Sequence, residues 1–243
     1  MSALPERVAL LAGGAGQLGR VVLMALQTAG WRVIVLDRDV SGLDGVESLA
    51  CDLTDEEATR AAIAEAWSRA ERIPVLVNCA GLIHNAPLIR VGATDERRHS
   101  LADWHRVIEA NLTTAFLAAV TQAERMVATR TKGVIVNLSS IAASGNAGQG
   151  AYAAAKAGIN AATQAWAKEL GPMGIRFVAV APGFIDTPST HDAMHETVLR
   201  DWGKRTPLRR LGRAEDIASA VLFAIENPYL NGKVLEIDGG LTL

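Results

Sequence analysis

Cysteine, aromatic side chains and net charge are all scarce in this 243-residue sequence, and each scarcity closes off a class of function. The two cysteines, Cys51 and Cys79, each end a short apolar run that reads as a strand. Two small buried side chains explain them, since neither metal-ligand spacing nor the dense pairing of a secreted disulfide scaffold is present. The five Trp and four Phe are scattered and build no base-stacking platform. A formal net charge of −2 steers the chain neither to nucleic acid nor to an anionic membrane. No uninterrupted apolar run approaches the roughly 20 residues of a membrane span. The opening MSALPERVALLAGG has no signal-peptide pattern. A soluble cytoplasmic protein with a small-molecule partner is the expectation.

What the sequence does have is rhythm. Apolar runs at Val8–Leu11, Arg32–Leu36, Ser48–Cys51, Val75–Val77, Val134–Leu138, Arg176–Val180 and Val234–Ile237 alternate with amphipathic stretches near 17–29, 55–70, 101–130, 150–170 and 214–226. Most of the runs are apolar throughout, as expected of strands buried on both faces of a parallel sheet. Their alternation with helices predicts an α/β chain: one doubly wound Rossmann domain with a mostly seven-stranded parallel sheet. No linker, repeat or low-complexity segment divides it. Asp37 to Ser48 reads as a loop. Ile83 to Ser100, with Pro87, Gly92 and the charged run Asp95–Arg98, reads as an exposed loop on the ligand side whose charges are solvated.

The first strand runs into Gly13, Gly16 and Gly19, spaced G-x-x-G-x-x-G, with Gln17 and Leu18 opening the helix. Glycines there permit a tight turn and close backbone approach to a pyrophosphate, which the free N–H groups and dipole of the helix start then favour. The second strand ends in Asp37, about 20 positions on, where a carboxylate can hold a ribose diol and repels a 2′-phosphate. This predicts NAD over NADP. Arg38 pulls the other way, because a guanidinium can pair with that phosphate.

Tyr152 and Lys156 stand at i and i+4, on one helix face. A phenol near pKa 10 is a poor base at neutral pH, and an adjacent ammonium would lower that value and create a general acid/base for an alcohol or ketone oxygen. Upstream, the strand Val134–Leu138 ends in Ser139 and Ser140, either of which offers a hydroxyl to the substrate oxygen.

With these residues in this order, the sequence resembles the short-chain dehydrogenase/reductase family over nearly its whole length. Asn78-Cys79-Ala80-Gly81 is similar to the family's N-x-A-G signature beside the cofactor. Cys51-Asp52-Leu53 looks like the adenine-contacting segment, which assigns Asp52 and Leu53 to the cofactor. Glu109-Ala110-Asn111-Leu112 matches the helix with the catalytic Asn, which by resemblance holds a water linking Lys156 to a proton relay. Ala181 to Thr187 matches the nicotinamide clasp, which implicates Pro182, Gly183, Ile185 and Thr187. Three departures stand out: Gln17 replaces a central glycine, Ala12 replaces the usual Thr, and the serine-to-tyrosine gap is one residue short if Ser140 is catalytic. Counting along the strand favours Ser140, and counting back from Tyr152 favours Ser139; register fixes which side chain faces the site, so Ser140 is preferred.

The resemblance implies an NAD(H)-dependent enzyme interconverting a secondary alcohol and a ketone, with Asn111, Ser140, Tyr152 and Lys156 as the catalytic set. A substrate lid is expected at about 188–207. Ile225 to Gly232 looks like the tail of short-chain 3-hydroxyacyl-CoA dehydrogenases, which points to 3-hydroxyacyl or 3-oxoacyl thioesters. A small cyclic alcohol or dihydrodiol, and a non-catalytic dinucleotide-binding regulator, are the alternatives. A serine hydrolase is disfavoured by the lack of a G-x-S-x-G elbow. His191 and His195, one turn apart, are too few for a metal site. In related proteins the helices at 101–130 and 150–170 pair between subunits, which implies a homo-oligomer, a tetramer.

Overall fold

The computed structural model describes residues 7–93, 95, 97–193 and 196–243. Seven strands form one sheet in the order β3-β2-β1-β4-β5-β6-β7, and every adjacent pair is parallel. They are β1 (Val8–Ala12), β2 (Arg32–Asp37), β3 (Glu47–Ala50), β4 (Val75–Asn78), β5 (Gly133–Leu138), β6 (Ile175–Pro182) and β7 (Lys233–Ile237).

The unbroken apolar runs are explained by what lies on the two faces. Successive side chains of a strand point to opposite sides. Ala9, Leu11, Val33, Val35, Val77, Val136 and Val178 pack on one side with α1 (Gln17–Thr28) and α8 (Ala214–Glu226). Leu10, Ile34, Leu36, Leu76, Ile135 and Phe177 pack on the other, against α2 (Glu56–Ser68), α4 (Thr114–Ala128) and α5 (Gly150–Leu170). Both faces are covered, so an alternating polar pattern has no place in the central strands.

The strand order reverses direction between β1 and β4. A crevice therefore opens at the carboxyl ends of those strands, the general ligand position in such sheets. Close approach shapes it from below. A Cβ on Gly133, at the start of β5, would lie 1.8 Å from the Pro74 carbonyl oxygen, so only glycine lets that neighbouring chain pass.

Three segments differ from expectation. The third strand begins and ends one residue early, leaving Cys51 outside it but still buried. The helix expected at 101–130 is interrupted: α3 (Leu101–Ile108) passes through a π-helical turn, Glu109–Thr113, before α4 resumes. Within 83–100, Ile89 pairs antiparallel with Arg98, so the expected loop carries a short two-stranded ribbon. The expected lid folds as α6 (Pro188–Ala193) and α7 (Glu196–Arg205), with His195 outside the described residues. His191 bonds Asp186 at 2.7 Å, and the described residues hold no group of three or more His, Cys, Asp or Glu suited to a metal.

Candidate active site

The glycine turn lies directly against the end of β4. A Cβ on Gly13, whose φ is +77°, would come 2.4 Å from the Ala80 backbone nitrogen. One on Gly19 would lie 2.1 Å from the Gly13 carbonyl oxygen, which seats the first turn of α1, with Gln17 and Leu18, tightly on the strand. Gly16 precedes that helix in extended conformation and is open to solvent. Gly14, which pattern reading passed over, is closed as well: Val35 would be 2.7 Å from its Cβ.

Asp37, at the end of β2, leans over the same turn. Its carboxylate accepts from the Ala15 N–H at 2.9 Å, so the acidic residue both braces the cradle and faces its mouth. Arg38 is exposed, and its charge contributes to lowering the pKa of Asp52, although the main causes are the backbone and side-chain hydrogen bonds from Thr54. The Leu53 side chain is in the core, beneath the crevice. A wall of bare backbone, a helix start and a carboxylate at the second strand end suit a dinucleotide's pyrophosphate and ribose.

Across the crevice, β4 ends in Asn78, which donates to Asn137 Oδ1 at 2.7 Å on β5. Gly81 then brings two helices together. A Cβ there would meet Asn111 Oδ1 at 2.5 Å and Lys156 Nζ at 3.5 Å, so both polar atoms border one spot. Asn111 lies in the π turn, a distortion often found at functional sites. Its amide donates to the Leu82 and Val107 carbonyls at 2.9 Å each, while Oδ1 is buried without a partner. A buried acceptor left open is costly, and it fits a site completed by something besides this chain.

Lys156, 4% exposed, donates from Nζ to the Leu138 carbonyl at 2.8 Å. Nζ stands 5.5 Å from the centre of the Tyr152 ring. The Tyr152 hydroxyl bonds Ser140, whose Oγ also accepts from the Ala142 N–H. Ser139 points elsewhere, its Oγ donating to the Lys156 carbonyl at 3.3 Å. Ser140→Ala is therefore expected to lower kcat by about 10²-fold or more. Ser139→Ala should keep turnover and lose only about 1 kcal/mol of stability. Steady-state rates and melting curves of the two variants check this, and the opposite assignment would exchange the results.

A phenol made more acidic by its lysine is the expectation from sequence, and the chain alone does the reverse. Burial pushes the Tyr152 phenol up to about 12, with only the Ser140 hydrogen bond pulling back. The lysine gives little help because its ammonium is turned to Leu138. Burial also brings Lys156 down to about 8, opposed by the neighbouring Cys79 thiol, itself pushed up to about 12. At neutral pH Tyr152 is a protonated donor backed by a lysine that still carries most of its charge.

The rest of the rim comes from elements with weak sequence signals. β6 ends in Pro182, and Gly183 donates its N–H to the Ile237 carbonyl at 2.9 Å. Ile185 bridges to Gly212, and the Thr187 and Thr190 hydroxyls lie 2.8 Å apart. Gln149, one turn before Tyr152, donates to Asn85 Oδ1 at 2.8 Å and accepts from Asn146 at 3.0 Å. Neither Asn85 nor Gln149 announced itself in the sequence; only the return of the 83–100 segment to the start of α5 joins them.

Comparison with known proteins agrees with this geometry. Residues 14–242 match the family model described as enoyl-(acyl carrier protein) reductase. The chain is 35% identical to the 3-oxoacyl-(acyl-carrier-protein) reductase FabG of Thermotoga maritima, covering 99% of both chains. It is 35% identical to a (3R)-3-hydroxyacyl-CoA dehydrogenase of Canis lupus familiaris, covering 98% of this chain and 97% of that one. Among solved structures, a ligand-free aldohexose dehydrogenase of Thermoplasma acidophilum superposes with a TM-score of 0.87 at 28% identity, over 99% of this chain and 95% of the other.

Proposed function

The chain belongs to the short-chain dehydrogenase/reductase family and is an oxidoreductase acting on CH–OH groups; on that premise we propose that it interconverts 3-oxoacyl and 3-hydroxyacyl thioesters with NAD(H). The observation that carries the reading is the meeting of half-buried Ser140, after β5, with buried Tyr152 and Lys156 of α5, the lysine bordering Gly81 just beyond the strand end on which the glycine turn packs.

A nicotinamide dinucleotide supplies or accepts the hydride when bound. Gly13, Gly16, Gly19 and the first turn of α1 would hold its pyrophosphate, and Asp37 its adenosine ribose, with Asp52, Leu53, Asn78, Ala80 and Gly81 lining the path between. Pro182, Gly183, Ile185 and Thr187 would close over the nicotinamide. The chain's own work is on the oxygen. Ser140 and Tyr152 donate to a substrate carbonyl and localise the charge that grows there. Tyr152 then gives up its proton, and the Lys156 ammonium, turning from the Leu138 carbonyl toward the phenol, would stabilise the phenolate that remains. Asn111, with its unpaired acceptor beside Lys156, would hold the water through which the replacement proton arrives. α6 and α7 are the lid over the acyl group.

Several further features belong to the same proposal. Phe116, Val120 and Val127 are exposed on α4 at spacings that share one helical face, which supports a homotetramer paired through α4 and α5. No described helix is long and apolar enough to cross a membrane, and cytoplasmic residence is proposed with it.

The test is a steady-state assay of acetoacetyl thioester reduction with each cofactor. Asp37 braced over the cradle favours NADH, and a kcat/KM at least about tenfold higher than with NADPH is expected from one like-charge contact. A preference for NADPH would reassign the role of Arg38. Turnover of aldohexoses but of no acyl thioester would replace the substrate class.

A further inference from the structure

The segment from His84 to Ser100 is tied to the mouth of the catalytic crevice at its base. The Ala86 N–H donates to the Gly148 carbonyl at 2.7 Å, Asn85 is held by Gln149, and His99 Nδ1 lies 3.2 Å from the Ala86 carbonyl. From that anchor the ribbon leaves the protein. Arg90 donates its backbone N–H to Arg97, and His99 donates to Leu88. The Ile89–Arg98 bridge fixes the register, so Arg90 and Arg97 are cross-strand neighbours on one face, with Leu88 and His99 nearer the crevice.

Two like charges directly opposite on a ribbon are destabilising. Here nothing within the described residues neutralises them. Arg97 spends its Nε on the Ala93 carbonyl, and the side chains of Arg90 and Arg98 make no hydrogen bond or ion pair among the described residues. Asp95, near the tip, is exposed and unpaired there as well. Leu88, between the mouth and the arginines, is 82% exposed. The chain bends at Leu88 between Ala86 and the Ile89–Arg98 bridge. A basic pair with no partner among the described residues, with exposed Leu88 between it and the mouth, fits a ligand with its reacting group in the crevice, a weakly polar arm, and an anion at the far end.

We propose that the Arg90–Arg97 face binds the phosphate at the distal end of a phosphopantetheine thioester, holding the arm along Leu88 while the acyl group reaches Tyr152. This rests on the acyl-thioester reading above. The phosphate can be that of coenzyme A or of a carrier protein's prosthetic arm, which present the same chemistry to the ribbon.

The experiment compares wild type with Arg90→Ser/Arg97→Ser and with Arg90→Glu, which leaves the Arg97–Ala93 bond in place. The substrates are acetoacetyl-CoA, acetoacetyl-acyl carrier protein, and acetoacetyl-N-acetylcysteamine, which lacks phosphate. Loss of two solvent-exposed charge contacts should raise KM for a phosphate-bearing thioester about tenfold with kcat unchanged. KM for the N-acetylcysteamine thioester should not move. Whether the rise is seen with acetoacetyl-CoA, with the carrier-protein thioester or with both names the source of the phosphate. Unchanged KM values throughout, or an equal rise for the phosphate-free thioester, would overturn the subsite while leaving the proposed reaction intact. Wild-type protein that turns over none of the three would overturn the substrate class and the subsite with it.

Discussion

Tyr152→Phe is expected to lower kcat by about 10³-fold, while cofactor affinity changes little. The substitution removes one oxygen and keeps the buried ring, so the packing around Ala142, Ala151 and Val107 survives. What goes is the phenolic proton donor held against Ser140. Fluorescence titration with the reduced cofactor, run beside the rate measurement, separates lost chemistry from lost binding. The pH dependence gives an independent reading. With the phenol up at about 12, Tyr152 is protonated across the working range, so reduction is not limited by the supply of its proton. Lys156, brought down to about 8, is charged below that value and neutral above it. Wild-type reduction should therefore hold steady to about pH 8 and fall above, as the charge that stabilises the phenolate is lost. Near-wild-type turnover by Tyr152→Phe would remove the tyrosine from the mechanism.

Gly13→Ala should be a severely damaging methyl in the cofactor cradle. Its φ of +77° is disfavoured for alanine, and the new carbon would lie within 2.8 Å of three backbone atoms of Cys79 and Ala80. Backbone atoms at a strand end cannot rotate away, so the turn or β4 must shift. A loss of about 4 kcal/mol, or about 10 °C in Tm, is expected together with weaker cofactor binding. Gly16→Ala is the control. Gly16 has φ −68°, and its nearest neighbour would be a carbonyl oxygen at 3.4 Å, so its melting temperature should stay within a few degrees of wild type. Equal melting temperatures for the two variants would show that the turn does not pack on β4 as described.

The strands and their parallel order were legible because apolar runs such as Val33-Ile34-Val35-Leu36 have few other places to go than a sheet covered on both faces. Boundaries were read less well where the signal was thin. β3 is only half-buried, so its four residues have no sharp hydrophobic edge to place them. The π turn at Glu109–Thr113 left no trace in the periodicity, because one extra residue in a turn shifts the apolar stripe by less than the width of the stripe itself. The ribbon at Ile89–Arg98 was hidden for a different reason: Ile89, Arg90, Arg97 and Arg98 are all exposed and carry no alternation to read.

For the site, local spacing was enough to put Tyr152 and Lys156 on one helix face and to set glycines after the first strand. Those relations lie within a single element, where 3.6 residues per turn and a steric map leave little freedom. Which serine bonds Tyr152, the sign of the shift on Tyr152, and the meeting of Asn111 with Lys156 over Gly81 were decided by the tertiary structure. Each depends on the distance between atoms far apart in the chain and on how much water their meeting excludes, and a sequence contains neither quantity until the sheet has brought its strand ends together.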